Sequence, residues 1–163
     1  MTAAVPRDAV PADAGALSSV MRAAWRHGYP GVVPDRVLAG VDQLFDAAWF
    51  TGLLAEGGFR TVVSGDPITG FVRYGPYPDD TALGYIAALY VHPSAAGHGL
   101  GRHLLDHALA ALAAAGHRTA LLWVFEPNTR ARQLYARAGF TPDGTTRTNP
   151  AYATPELRLH RPL

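Results

Sequence analysis

Val91-His92-Pro93-Ser94-Ala95-Ala96-Gly97-His98-Gly99-Leu100-Gly101-Arg102 is the stretch on which the reading of this chain turns. An apolar, β-rich run ends at Val91, and glycines then alternate at 97, 99 and 101. A helical pattern starts at once, because Leu100, Leu104, Leu105, Ala108 and Leu112 recur at helix spacing until Gly116. Alternating glycines let successive N–H groups converge with no Cβ in the way, and a helix N-terminus adds the positive end of its dipole. Together they make an anion cradle, best suited to a phosphate or pyrophosphate. Such a turn alone serves structure as readily as phosphate. A Rossmann reading fails, because this strand–loop–helix unit comes late and follows a hairpin.

Upstream, Asp13 is placed to cap a helix running to about His27, with Leu17, Val20, Met21, Ala24 and Trp25 on one stripe. A second helical region is expected from Asp35 through Leu44, Phe45, Ala48 and Trp49 toward Leu54, ended by Gly57-Gly58. Ala3 to Arg7 reads as a short edge strand, weakened by Pro6. Phe59–Ser64 and Ile68–Tyr74 read as a hairpin about Gly65-Asp66-Pro67, and Tyr77 to Asp80 as the loop before a third strand, Leu83 to His92. Downstream, Thr119–Phe125 is an apolar strand, Asn128–Ala138 a helix closed by Gly139, and Phe140–Gly144 and Glu156–His160 the final strands. The order predicts an α/β chain, a mixed sheet with helices on both faces, in a single domain over residues 1–163.

Composition narrows the chemistry. The 163 residues are 48% hydrophobic and 17% charged, enough apolar content for one core, and no apolar run reaches the ~18 residues of a membrane span. Residues 1–8 lack the basic start and apolar run of a signal peptide, so a cytoplasmic setting is expected. No cysteine is present, which excludes disulfides, thiolate metal sites and cysteine nucleophiles. All 14 basic residues are arginine, which removes Schiff-base chemistry and any Walker-type loop. A net charge of +1 with no basic run argues against a nucleic-acid partner.

Four segments occur in a telling order: Leu89-Tyr90-Val91-His92-Pro93, then Gly97-His98-Gly99-Leu100-Gly101, then Leu121-Leu122-Trp123-Val124, then Asn128 followed by Leu134-Tyr135-Ala136-Arg137-Ala138-Gly139-Phe140. In combination they resemble the GNAT superfamily of acyl-CoA-dependent N-acetyltransferases. The entry helix ending in Ala24-Trp25-Arg26-His27-Gly28-Tyr29 is similar to that of many bacterial members. The resemblance implies a central mixed sheet flanked by helices, with two parallel strands splayed apart to hold CoA. It implies acetyl-CoA as cosubstrate, no metal, and direct transfer to a primary amine of a small molecule or peptide. The amides of Ala96, Gly97, His98, Gly99, Leu100, Gly101 and Arg102 would then hold the pyrophosphate, and the backbone of Leu89 and Val91 the pantetheine arm. Ala96 departs from the Arg or Gln usual in the family.

The resemblance makes Tyr135 the general acid for the CoA thiolate, against the plainer reading of an aromatic packed beside Phe140. Asn128 reads both as an N-cap and as a contact to the CoA arm. The general base stays open. Relatives carry Glu in the fourth strand where this chain reads Gly84-Tyr85-Ile86, and a phenol is a poor base that can align a water. Glu126, His92, Asp79 and Asp80 are the remaining candidates, Glu126 against the reading of an exposed strand-end acid and His92 against a turn role. His103 and His107 share a spacing of four but lack a third metal ligand. The resemblance implies that Trp25 and Tyr29, against their plainer reading as core, wall the acceptor site with Tyr85, and the 145–154 segment is expected as a further wall or a homodimer contact. Two other readings stand beside the enzyme: a non-catalytic acyl-CoA-binding or regulatory module, and a protein that sequesters a small molecule.

Overall fold

A computed structural model describes residues 4–163, so of the expected first strand only Ala3 lies outside the described residues. Seven strands form one sheet in the order β1-β2-β3-β4-β5-β7-β6. They are Arg7–Asp8 (β1), Arg60–Ser64 (β2), Gly70–Tyr77 (β3), Asp80–Val91 (β4), Thr119–Phe125 (β5), Thr141–Asn149 (β6) and Thr154–Pro162 (β7). All neighbours run antiparallel except β4 and β5, which run parallel. The helices are Ala14–Gly28 (α1), Asp35–Ala39 (α2), Val41–Leu44 (α3), Ala47–Ala55 (α4), Leu100–Ala114 (α5) and Thr129–Arg137 (α6).

Two apolar layers hold the sheet between the helices. On one face Leu104, Leu105, Ala108 and Leu112 of α5 pack on Val72, Ile86, Leu122 and Val124. On the other, Leu17, Val20, Met21 and Trp25 of α1 join Phe45, Phe50, Phe71 and Phe125. The α5 stripe read from sequence is therefore the inner wall of one layer.

Several local expectations change. The single helix expected from Asp35 to Leu54 is three pieces, because Gly40 interrupts it and Asp46 starts it anew, its carboxylate accepting from the Trp49 amide at 2.8 Å. Asp13 does not cap α1. Its carboxylate accepts from the Val10 amide at 2.8 Å and pairs with Arg7 at 2.8 Å, fixing the turn before the helix. The Tyr77–Asp80 loop is a tight reversal, since Tyr77 pairs with Asp80 and both strands run up to it. The last hairpin is longer than expected, with Arg147 opposite Glu156 and Asn149 opposite Thr154. The 145–154 segment, expected as a further wall or a homodimer contact, is mostly strand.

Candidate active site

The fold makes the site by letting two strands part. Gly84 opposite Ala120 and Tyr85 opposite Leu121 are the only residues paired between β4 and β5 among those described. Beyond them β5 stays with β7 along its whole length, from Thr119 opposite Pro162 to Phe125 opposite Glu156. Meanwhile β4 stays with β3 through a bulge at Ala87, between the Arg73–Ala88 and Tyr74–Ile86 pairs. Each strand is held from its outer side, and the bulge adds local twist.

Residue 92 sets the direction of the free edge. Its amide donates to the Thr69 carbonyl at 2.7 Å, toward β3. Alternation along an antiparallel strand then turns the N–H and C=O groups of Leu89 and Val91 away from β3, into the gap. The gap opens into a cleft of about 710 Å³ bounded by α1, β4, β5, α5 and α6.

At the cleft mouth, Gly97 and Gly99 adopt φ of +81° and +82°, and a Cβ on either would meet no protein atom within 4 Å. The Ala96 amide, expected in the cradle, instead donates to the Pro93 carbonyl at 3.2 Å and closes the preceding turn, whereas those from Gly97 to Arg102 donate to no protein acceptor among the described residues, as the first turn of a helix dictates for its own N–H groups. Six donors aimed from a glycine turn and a helix start fit a pyrophosphate. His92 takes the turn role. Its ring nitrogen accepts from the Ser94 amide at 3.1 Å, and its carbonyl from Ala95 at 2.9 Å.

On the opposite wall, Asn128 caps α6 by accepting from the Ala131 amide at 3.2 Å, and it lines the cleft. Tyr135 also lines it, buried edge-on against Phe140 with ring centroids 5.9 Å apart. Burial, and secondarily Tyr90, push its phenol well above the ordinary range, so it remains a donor at any assay pH.

The far end of the cleft is built by strand parity. Leu122 and Val124 of β5 and Leu157 and Leu159 of β7 face α5. Residues one step away, Trp123, Phe125, Glu156 and Arg158, therefore face the α1 side. Arg147 stands opposite Glu156 on the same face, its Nε 2.9 Å from the carboxylate and its guanidinium 4.1 Å above the Trp123 ring. Tyr85 projects beside them: burial raises its phenol and the neighbouring Arg147 opposes part of that rise. Trp25, Tyr29, Phe125 and Tyr152 form an aromatic floor with centroids 4.6 to 6.0 Å apart. Trp25 lines the cleft beside Tyr29, although it is only 2% exposed.

Not every candidate joins this cleft. Glu126 is exposed just past β5, its amide donating to the Pro155 carbonyl at 2.8 Å and its carbonyl accepting from Arg132 at 2.9 Å. Asp79 and Asp80 lie exposed at the β3–β4 reversal, and His98 is exposed on the outer side of the glycine turn. Among the described residues no three His, Asp or Glu side chains gather as a metal would require. Conversely, Arg147 and Glu156 line the cleft and were not singled out from the sequence. Their signal lay in the hairpin register, which the polar run Thr145–Asn149 concealed.

The Acetyltransferase (GNAT) family profile matches residues 20–140, spanning the parted strands, the glycine turn and α6. The chain belongs to the GNAT family. Relatives include the mycothiol acetyltransferase of Beutenbergia cavernae, 51% identical over 63 residues, which are 39% of this chain and 21% of that protein. A second, from Mycobacterium tuberculosis and named "Probable N-acetyltransferase", is 31% identical over 150 residues, covering 87% of this chain and 82% of that one. The chain spans well under half the length of the mycothiol acetyltransferases it matches. Among solved structures, the PaiA N-acetyltransferase of Thermoplasma acidophilum in complex with coenzyme A superposes with a TM-score of 0.82 at 16% identity over all of both chains. That likeness confirms the GNAT fold, the α/β mixed sheet expected from the sequence.

Proposed function

We propose that the chain transfers an acetyl group from acetyl-CoA to a primary amine of a small molecule or peptide, directly and within a ternary complex. The observation that carries this reading is the fork: β4 and β5 separate after Tyr85 and Leu121, and the unpaired Gly97–Arg102 amides stand at the mouth of the resulting cleft. Family membership adds its weight. Bound acetyl-CoA supplies an acyl thioester.

The chain's own groups meet the remaining demands. The glycine-turn amides and α5 dipole bind the pyrophosphate, and the free edge at Leu89 and Val91 orients an amide-bearing arm down the gap. Asn128 fixes the start of α6, which carries Tyr135 toward the point where sulfur departs. The Tyr135 hydroxyl donates to the developing thiolate. Tyr85 and Tyr29 border the space left for the amine. With no cysteine in the chain, a thiol-linked acetyl-enzyme has no nucleophile to form on.

CoA release measured with acetyl-CoA against a panel of phenethylamine, spermidine and a short alanine-led peptide tests the reading. Amine-dependent release supports it. CoA binding without release with any amine favours a non-catalytic acyl-CoA-binding module, and absence of CoA binding favours a sequestering protein.

A further inference from the structure

We infer that Glu156 receives the acceptor's ammonium group and takes its proton, a task for which β4 brings no carboxylate into the cleft. This rests on the acetyl-transfer reading above and assigns it a proton acceptor. Glu156 is the sole acidic side chain lining the cleft among the described residues, and it is 8% exposed. It lies opposite Phe125 at the last rung between β5 and β7, on the far side of the gap from Tyr85. The same sheet face carries both residues, and Arg147 bridges them, pairing with Glu156 at 2.9 Å while standing beside the Tyr85 phenol. A carboxylate brought in from β7 thus reaches the region that a β4 residue 85 addresses.

Its surroundings suit a cation. Glu156 faces Tyr29, Tyr85, Tyr90 and Tyr152, and its negative charge acts on all four phenols. Tyrosine rings and the single carboxylate of the cleft gather at one end, where an alkylammonium finds the one acidic group lining the cleft among the described residues. Arg147 donates to both carboxylate oxygens, Nε to Oε2 at 2.9 Å and Nη2 to Oε1 at 3.4 Å, and the longer bond is the one an incoming ammonium would displace or share. In the reaction the ammonium gives one proton to Glu156, and the freed nitrogen lone pair forms a bond to the acyl carbon. The carbon–sulfur bond then breaks while the Tyr135 hydroxyl hydrogen-bonds the departing thiolate, the second N–H proton passes through water to that thiolate as the amide forms, and Glu156 returns its proton to solvent. A cross-strand pair that served only the β6–β7 hairpin would place no demand on the acceptor's charge.

Glu156→Gln keeps the shape and a hydrogen bond to Arg147. Three measurements are made on it and on the wild type: CoA affinity, turnover with the amine panel across pH, and calorimetric binding of phenethylammonium without acetyl-CoA. The expected result is unchanged CoA affinity, weaker phenethylammonium binding, and turnover reduced about a hundredfold near neutral pH. The residual rate should climb steadily with pH as neutral amine becomes available from solution, whereas the wild-type rate levels off. Wild-type turnover, binding and pH profile in a folded Glu156→Gln protein overturn the assignment while leaving the acetyl-transfer reading intact. A wild type that binds CoA and acetylates none of the panel overturns that reading and this one together.

Discussion

Tyr85 and Leu121 form the last rung that β4 and β5 share, so the phenol stands at the root of the fork rather than along either arm. A side chain there meets the cleft from beneath and touches Tyr77 edge-on at 5.1 Å between centroids. Tyr85→Phe removes the hydroxyl beside Arg147 and keeps that packing. The expected effect is a moderate loss, about tenfold, in a rate that depends on aligning a water or the acceptor. Tyr85→Glu sets a carboxylate at the root of the fork and should recover part of the activity lost in Glu156→Gln when the two are combined. Rates of the four proteins with one verified amine check both statements. Glu126→Gln should be silent, since that side chain lies outside the cleft.

The glycine turn gives a prediction in binding alone. At Gly99 the backbone is left-handed and the Cβ direction is open, so a substituent projects where the anion would sit. Gly99→Asp adds a carboxylate there and should lower CoA affinity at least tenfold, the cost of setting like charges together in place of a dipole. Gly99→Ala, which carries the same backbone strain without the charge, separates the two effects. Calorimetry on both folded variants reads the difference.

What could be read in advance follows the strength of local periodicity. The Leu100–Leu112 stripe and the apolar Thr119–Phe125 strand are fixed by their own residues, and both took the expected places. The parting of β4 from β5 has no such local signal. It arises from competition between β3 and β7 for the two strands, and entered the reading only through the resemblance. Thr145–Asn149 carries no strand signal because an exposed edge strand needs no apolar alternation. That is why Arg147 and Glu156 stayed hidden: their proximity is a property of the β6–β7 register, with a shift between Pro142 and Thr146 that no sequence window displays. The split helix between Asp35 and Ala55 has the opposite cause, since Gly40 and Asp46 are local breakers that a continuous apolar stripe masked.

Acid stability should track the partly buried aspartates Asp13 and Asp143. Asp143 lies beside Arg158 at 2.6 Å. Burial pushes its carboxyl up, but the Thr145 amide and Arg158 outweigh burial and hold it below the usual range. Asp13 is held low chiefly by its hydrogen bond from Arg7, against burial. A carboxyl depressed in the folded state adds stability that is present above its unfolded value near 3.8 and lost as pH falls through the folded value. Unfolding free energy should therefore be level near neutrality and fall below about pH 4. Asp143→Asn should cost about 1–3 kcal/mol at neutral pH and flatten part of the acid slope. Urea titrations at several pH values give both quantities.

Tyr135 tests whether burial and catalysis coincide in one group. Its phenol is raised well above 10 by burial first and Tyr90 second, so its proton stays on throughout the accessible assay range. Burial therefore guarantees the protonated form and weakens the phenol as an acid. The benefit must come from a hydrogen bond that strengthens as negative charge builds on the departing sulfur. Two consequences separate this from packing. Tyr135→Phe keeps the edge-on contact with Phe140 and should leave CoA affinity within about twofold, while turnover falls about 10²–10⁴-fold where chemistry limits the rate. The wild-type profile should show no alkaline fall assignable to Tyr135 below about pH 10, because the group that must be protonated titrates above that. Single-turnover rates across pH for both proteins decide the matter. Equal rates in the two would return Tyr135 to the core of α6, as the aromatic that seats the helix against Phe140.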